Sequence, residues 1–451
     1  MKIAPIDLGC PKNTVDLEKV LGLLAVPGLR IVEDPCRADV VIINTCAFIR
    51  PAVEEALETI LETARLKGQG TRRIVVTGCL PQRFGKELAG LLPEAELVVT
   101  ARDPTRMAAR IRGFLGLRAA GHSRARWSLT PSHYAYLKIA EGCDNCCAYC
   151  TIPLIKGRYR SRPAEVVLAE ARELARRGAQ ELIVVAQDTT LYGAEGGKPS
   201  ALPELLRALA QVEGPRWIRL MYTHPAHVDE PLIATIASQE RICKYIDLPV
   251  QHGSDRILAA MGRKTTRAQL EQLVHRIRQQ IPSVAIRSTV MVGFPGETEA
   301  DFELLLDFLE AVRFDHLGVF TYWPEEETRA AAMAGQVAEE EKNARHAQVL
   351  DLQSRISSAR TAGLLGRTVL VLVDEVDKTL GISWGRTEWD APEVDSRVRI
   401  DDILEPGHFA TVRITGSDGF DLHATPAGSS STSAAAGEGA ELSVPREVSR
   451  V

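Results

Sequence analysis

Cys143, Cys147 and Cys150 lie in the segment C-D-N-C-C-A-Y-C. Thiolates at this C-x3-C-x2-C spacing can hold three irons of a [4Fe–4S] cube and leave the fourth iron open to a small ligand. Soft thiolates select iron–sulfur clusters or zinc, and a low-potential cluster implies one-electron chemistry. The register is nearly forced. A C-x2-C-x2-C reading from Cys143 and Cys146 would need a cysteine where Tyr149 stands, and the observed spacing begun at Cys146 would need one at Pro153. A zinc knuckle or a grouping of reduced core cysteines are the competing readings.

A second set is dispersed. Cys10 follows Leu8-Gly9, Cys46 follows Asn44-Thr45, and Cys79 follows Thr77-Gly78. Each closes a strand-like run at its carboxyl end, the edge where open parallel sheets place ligands. Three cysteines on that edge suggest a second three-thiolate site, with buried reduced cysteine as the alternative. Nine cysteines in 451 residues do not make a disulfide scaffold, and their spacing favours metal ligation.

These sets must be positioned by an α/β chain. Residues 1–120 alternate strand-like and helix-like pieces: Val40–Thr45, Val53–Lys67, Arg73–Gly78, then Leu97–Val99 into a helix near Thr105–Phe114. Residues 101–130 carry seven arginines and one acid. They read as a solvated helix face running into a linker at 121–132, with a phosphate-binding surface as the alternative. From 133 to 362 the alternation is regular. Strands are expected at Tyr134–Ala140, Glu181–Ala186, Trp217–Met221, Tyr245–Leu248, Ala285–Val292 and His316–Phe320. Six βα units predict a partial parallel barrel with the cysteine loop after its first strand, on the active face. The run Ala338–Thr361 is helical and leads out of the barrel. Residues 363–426 read as a small β-barrel with strands at Thr368–Val373, Arg397–Ile400 and Ala410–Ile414, and 427–451 as a disordered tail. With no long apolar run, the expectation is a soluble, cytoplasmic chain without signal peptide or membrane span.

At this point the chain resembles the methylthiotransferases of the radical S-adenosylmethionine (SAM) superfamily over about residues 1–425. The resemblance rests on the C-x3-C-x2-C loop of a partial (β/α)6 barrel, the N-terminal three-cysteine α/β domain and the C-terminal TRAM-like barrel. The strings Gly9–Asn13, Asn44–Ile49, Gln187–Gly193, Gln251–Asp255, Gly293–Thr298 and Gly385–Asp395 fit the branch that modifies small-subunit ribosomal protein twelve (uS12). Cys146 is a fourth thiol and His224 replaces a more usual tyrosine.

The resemblance implies SAM and two [4Fe–4S] clusters as cofactors. Cys143, Cys147 and Cys150 would hold the cluster that binds SAM and releases a 5′-deoxyadenosyl radical. Cys10, Cys46 and Cys79 would hold the auxiliary cluster that carries or donates sulfur. The product would be a 3-methylthioaspartate in uS12, the substrate being met free or on the ribosome. A flavodoxin or ferredoxin would supply electrons to a monomeric, non-membrane enzyme. Further cofactor contacts are assigned to Tyr149, Gln187, Asp188, Arg287 and Gly293. The competing roles are filling the barrel top for Tyr149, helix capping for Asp188 and a structural turn for Gly293. A barrel-facing Arg287 would need an anionic partner. His252 reads as a substrate contact or a structural histidine, Cys146 and Cys243 as free thiols, and Cys36 as incidental.

The nearest alternative is the MiaB-type branch, which modifies N6-isopentenyladenosine in tRNA. Residues 366–423 hold six Lys/Arg against twelve Asp/Glu, a formal charge of −6. An acidic module suits a basic protein substrate better than RNA phosphates.

Overall fold

The computed structural model describes residues 1–68, 71, 73–85, 87–117 and 126–427. The tail at 428–451, and with it nearly all of the segment read as disordered, lies outside the described residues, as does much of the linker. The described residues divide into two compact units, one over 1–352 and one beginning at residue 353.

The first unit begins with a five-stranded parallel sheet: β1 (Lys2–Asp7), β2 (Arg30–Ile31), β3 (Val40–Thr45), β4 (Arg73–Gly78) and β5 (Leu97–Val98), in the order β2-β1-β3-β4-β5. The sequence V-V-I-I-N-T of β3 is buried along its whole length, as expected of a central parallel strand covered on both faces. Helix Arg50–Arg65 packs on one face, and helices Pro11–Leu24 and Pro104–Leu115 on the other.

The barrel follows. Its strands are β6 (Tyr134–Lys138), β9 (Glu181–Val185), β10 (Trp217–Leu220), β11 (Tyr245–Asp247), β12 (Ala285–Val292) and β13 (His316–Thr321). Between β6 and β9, β7 (Ala140–Glu141) pairs with β8 (Arg160–Ser161). β6-β9-β10 and β11-β12-β13 form two parallel three-stranded sheets joined by a bridge from Ile218 to Ile242. The result is an open parallel half-barrel at the places expected from the periodicity. The first strand differs: it breaks at Ile139, and its last residues turn into the β7–β8 ladder that ties the base of the cysteine loop.

Helix Glu339–Ala362 leads into the second unit. There β14 (Thr368–Asp377), β15 (Ile382–Arg386), β16 (Val398–Ile400), β17 (Phe409–Ser417) and β18 (Leu422–Pro426) close a barrel in the order β14-β15-β16-β18-β17. β15 and β18 are strands that the sequence reading did not anticipate. Gly385 lies in β15, where an added Cβ would sit 2.5 Å from the Leu372 carbonyl oxygen, so close packing rather than side-chain propensity selects that strand. No helix among the described residues is long and apolar enough to cross a membrane.

Candidate active site: two cysteine triads at one seam

The N-terminal triad is built by sheet register. Asp7 aligns with Asn44 and Asn44 with Thr77, so the neighbouring strands β1, β3 and β4 end level and release Cys10, Cys46 and Cys79 side by side. Gly78 has φ +95°, and a Cβ there would lie 2.5 Å from the Thr45 carbonyl oxygen. Only glycine permits that approach. Asn44 ties the loops together by donating to Asp7 Oδ1 (2.7 Å) and to the Asn13 carbonyl (3.1 Å). Asn13 donates to Cys79 Sγ at 3.1 Å.

The barrel triad is built by one loop. Gly142 opens it with φ +80°, and a Cβ there would meet the Arg158 carbonyl oxygen at 2.2 Å. Cys146 takes a left-handed conformation (φ 52°) with its side chain exposed, and its carbonyl accepts from Arg329 Nη2 at 2.8 Å. That turn leaves Cys143, Cys147 and Cys150 lining one cavity of about 150 Å³ while Cys146 stays outside it.

Both thiol sets are poor places for bare negative charge. Burial first, then Cys10, push Cys46 up to about 12. Burial and Cys147 do the same to Cys150, also to about 12, and burial raises Cys143 to about 11. A metal cation beside either set would favour the thiolate form over the buried thiol. The cavity also presents unspent polar atoms. Among the described residues, Gln187 Oε1 and Arg263 Nε are buried without a hydrogen-bond partner. A donor and an acceptor on one wall fit a polar ligand beside the cysteines.

The other expected contacts divide. Tyr149 and Gln187 line the cavity, and Tyr149 also packs against the apolar cluster around Ala148 and Met261. Gln187 Nε2 donates to Glu141 Oε1 at 3.1 Å. Asp188 is turned away from the cavity. It accepts from Thr190 N (3.0 Å) and Asn145 Nδ2 (2.7 Å) and pairs with His227 Nδ1 (3.0 Å). It therefore caps a turn and holds the cysteine loop. Burial disfavours its charge, but His227 and Thr190 outweigh burial and keep it below the usual carboxylate range. His224 stacks on His227, and burial, reinforced by Arg263, lowers its pKa to about 3, so it is a neutral imidazole at the cavity wall.

Arg287 finds its anionic partner within the protein, in Asp247 on the adjacent strand (3.4 Å). Gly293 spends its N–H on Glu297 Oε2 (2.9 Å), and a Cβ there would lie 2.3 Å from Lys342 Cγ. His252 is fully buried; its Nδ1 accepts from Ser254 N at 2.9 Å, and its Nε2 sits 3.5 Å from Glu297 Oε2. It supports the Gly293–Glu297 turn and does not face the cavity. Cys243 is buried and Cys36 exposed.

A polar seam brings the triads together. Thr151, next to Cys150, donates to the carbonyl of Phe48, two residues after Cys46 (3.1 Å). Lys156 Nζ donates to Asn13 Oδ1 (2.9 Å), and the buried Lys138 pairs with Asp16 and with Glu141 (2.5 Å). Arg126, expected in a solvated stretch, is instead buried between Glu18 and Glu170. Arg102 is engaged by the Leu154 carbonyl (2.9 Å). Sequence reasoning assigned no role to Lys12, Asn145, Tyr222 or Arg263. Only their pairing across the seam and the cavity marks them.

Family models match along the chain: the radical SAM superfamily at residues 137–309, uncharacterized protein family UPF0004 at 2–100, and a TRAM domain at 365–426. A protein of Geobacter sulfurreducens named ribosomal protein uS12 methylthiotransferase RimO is 44% identical over 435 residues, covering 93% of this chain and 97% of the relative. Its namesake in Anaeromyxobacter sp. is 46% identical, covering 92% and 91%. The chain belongs to the RimO family. Among solved structures, the radical SAM methyltransferase TsrM of Kitasatospora setae superposes with a TM-score of 0.55 at 15% identity, covering 83% of this chain and 79% of that one. That likeness concerns the fold alone. Membership of the RimO family carries radical SAM chemistry and with it the use of SAM and iron–sulfur ligation.

Proposed function

We propose that this chain adds a methylthio group to the β-carbon of an aspartate in uS12, giving 3-methylthioaspartate. The supporting observation is the meeting of two thiolate triads at one seam. When bound, the cofactors supply an electron, an adenosyl radical and a transferable sulfur. The chain's residues supply position. Cys143, Cys147 and Cys150 hold the SAM-binding cluster, while Gln187, Tyr149 and Arg263 present polar and aromatic surface to the ligand. Cys10, Cys46 and Cys79 hold a second [4Fe–4S] cluster. The seam residues hold the two triads next to one another, and covering that junction would shield a reactive carbon radical from water.

The acidic module at 366–423 supports a basic protein substrate over tRNA. A low-potential flavodoxin or ferredoxin in the cytoplasm supplies the electrons, and the enzyme works as a monomer. The test is anaerobic turnover of reconstituted protein with SAM and reductant, offered uS12 and unmodified tRNA in parallel and read by mass spectrometry. S–CH3 replacing hydrogen on an aspartyl peptide is expected. The same gain on adenosine would move the activity to tRNA.

A further inference from the structure

Lys12 is the second residue of the helix that starts after Cys10, and it is only partly buried. Its ammonium crosses the seam to lie 3.2 Å from the ring centroid of Tyr222. Tyr222 lines the cavity that holds Cys143, Cys147 and Cys150. Lys12 therefore stands between the two triads, attached to one and in contact with the wall of the other.

The tyrosine is held there against its own preference. Its φ is 58°, a left-handed conformation that costs a bulky residue on the order of 1–3 kcal/mol. Asp247 Oδ2 fixes it by accepting from its N–H (2.9 Å), and Thr189 N donates to its carbonyl (2.9 Å). Such placement presents an aromatic face to a cation, an interaction worth about 0.5–2 kcal/mol.

The charge of Lys12 is left over. Lys138 and Lys156 share Asp16 and Glu141, and Arg287 takes Asp247. Arg263 is turned onto the Pro249 carbonyl (2.6 Å) and Cys147. Lys12 makes no ion pair with a carboxylate among the described residues. An ammonium held on an aromatic face with no carboxylate paired to it favours an anion beside it.

We propose that Lys12 binds the side-chain carboxylate of the substrate aspartate and so sets its β-carbon between the two triads. This rests on the uS12 reading above. A carboxylate clamped at this point places the adjacent carbon beside the cavity lined by Cys143, Cys147 and Cys150 and next to the helix that follows Cys10. A point cation on a flexible stem suits a single carboxylate oxygen better than a fixed fork does.

The experiment compares uS12 carrying the target aspartate with uS12 carrying asparagine there, using reconstituted full-length enzyme. Wild type should prefer aspartate, and Lys12→Met should reduce the ratio of kcat/KM values about 30-fold, mainly through KM for uS12, a loss of the size expected for one charge-assisted hydrogen bond. Lys12→Arg should keep most of the preference. An unchanged ratio in Lys12→Met overturns the proposal, as does a rise confined to the KM for SAM. A second readout does not depend on any variant folding. Carbodiimide coupling of wild-type enzyme with uS12 should give a Lys12–aspartate isopeptide by mass spectrometry, and coupling of the target aspartate to another lysine counts against it. Failure of wild type to modify uS12 at all would instead sink the substrate reading.

Discussion

Cys143, Cys147 and Cys150 stand on one loop tied at its base by β7 and β8, whereas Cys10, Cys46 and Cys79 come from three strand ends brought level by sheet register. The loop triad depends on local turns: Gly142 at its start and the left-handed Cys146 in its middle. The sheet triad depends on distant partners, with Gly78 against Thr45 and Asn13 against Cys79. One site is defined by spacing, the other by topology. The seam between them fixes their relation, because neither triad can aim at the other on its own.

The seam is the place to break that relation. Lys138→Met would leave Asp16 and Glu141 only the more distant Lys156 as a shared cation, and chemical denaturation should register a loss of about 3 kcal/mol. Acid attacks the same junction. Burial opposes ionisation of Glu170, but Lys19, Arg162 and Arg126 overcome it and hold its pKa down to about 2 from 4.5. Burial likewise opposes Glu141, which Lys138 and Lys156 hold at about 2. A carboxylate depressed on folding contributes stability that is present above its unfolded value and lost as pH falls through the folded one. Melting temperature should therefore decline between about pH 4.5 and pH 2, and Glu170→Gln should flatten part of that decline.

Smaller changes sharpen the contrast. Gln187→Leu removes the buried amide facing the SAM cavity without touching either triad, and the KM for SAM should rise about tenfold. Arg329→Met releases only the carbonyl of Cys146 at an exposed turn, and a stability loss of about 1 kcal/mol is expected. If it instead removed the iron of the loop triad, the loop would depend on distant contacts after all.

Legibility in the sequence followed the same division. The loop triad could be read from spacing alone, and Cys146 drops out of the cavity as that register requires. The sheet triad could be read only by placing each cysteine after a strand. The barrel strands were visible because buried parallel strands are continuous apolar runs, while β15, with Gly385 packed against the Leu372 carbonyl, and the short β18 carry no such run. Residues whose meaning lies in a partner far along the chain stayed hidden. Arg287 answers to Asp247, His252 to Glu297, Arg126 to Glu18 and Lys12 to Tyr222. No periodicity encodes such pairs.

The division of labour between the triads is tested most directly by one assay of SAM cleavage and uS12 modification on Cys147→Ala and Cys79→Ala side by side. Cys147→Ala should form neither 5′-deoxyadenosine nor product. Cys79→Ala should still release 5′-deoxyadenosine, hold about four irons where the parent holds about eight, and transfer no methylthio group. Methylthio transfer by Cys79→Ala, or 5′-deoxyadenosine from Cys147→Ala, would contradict that division.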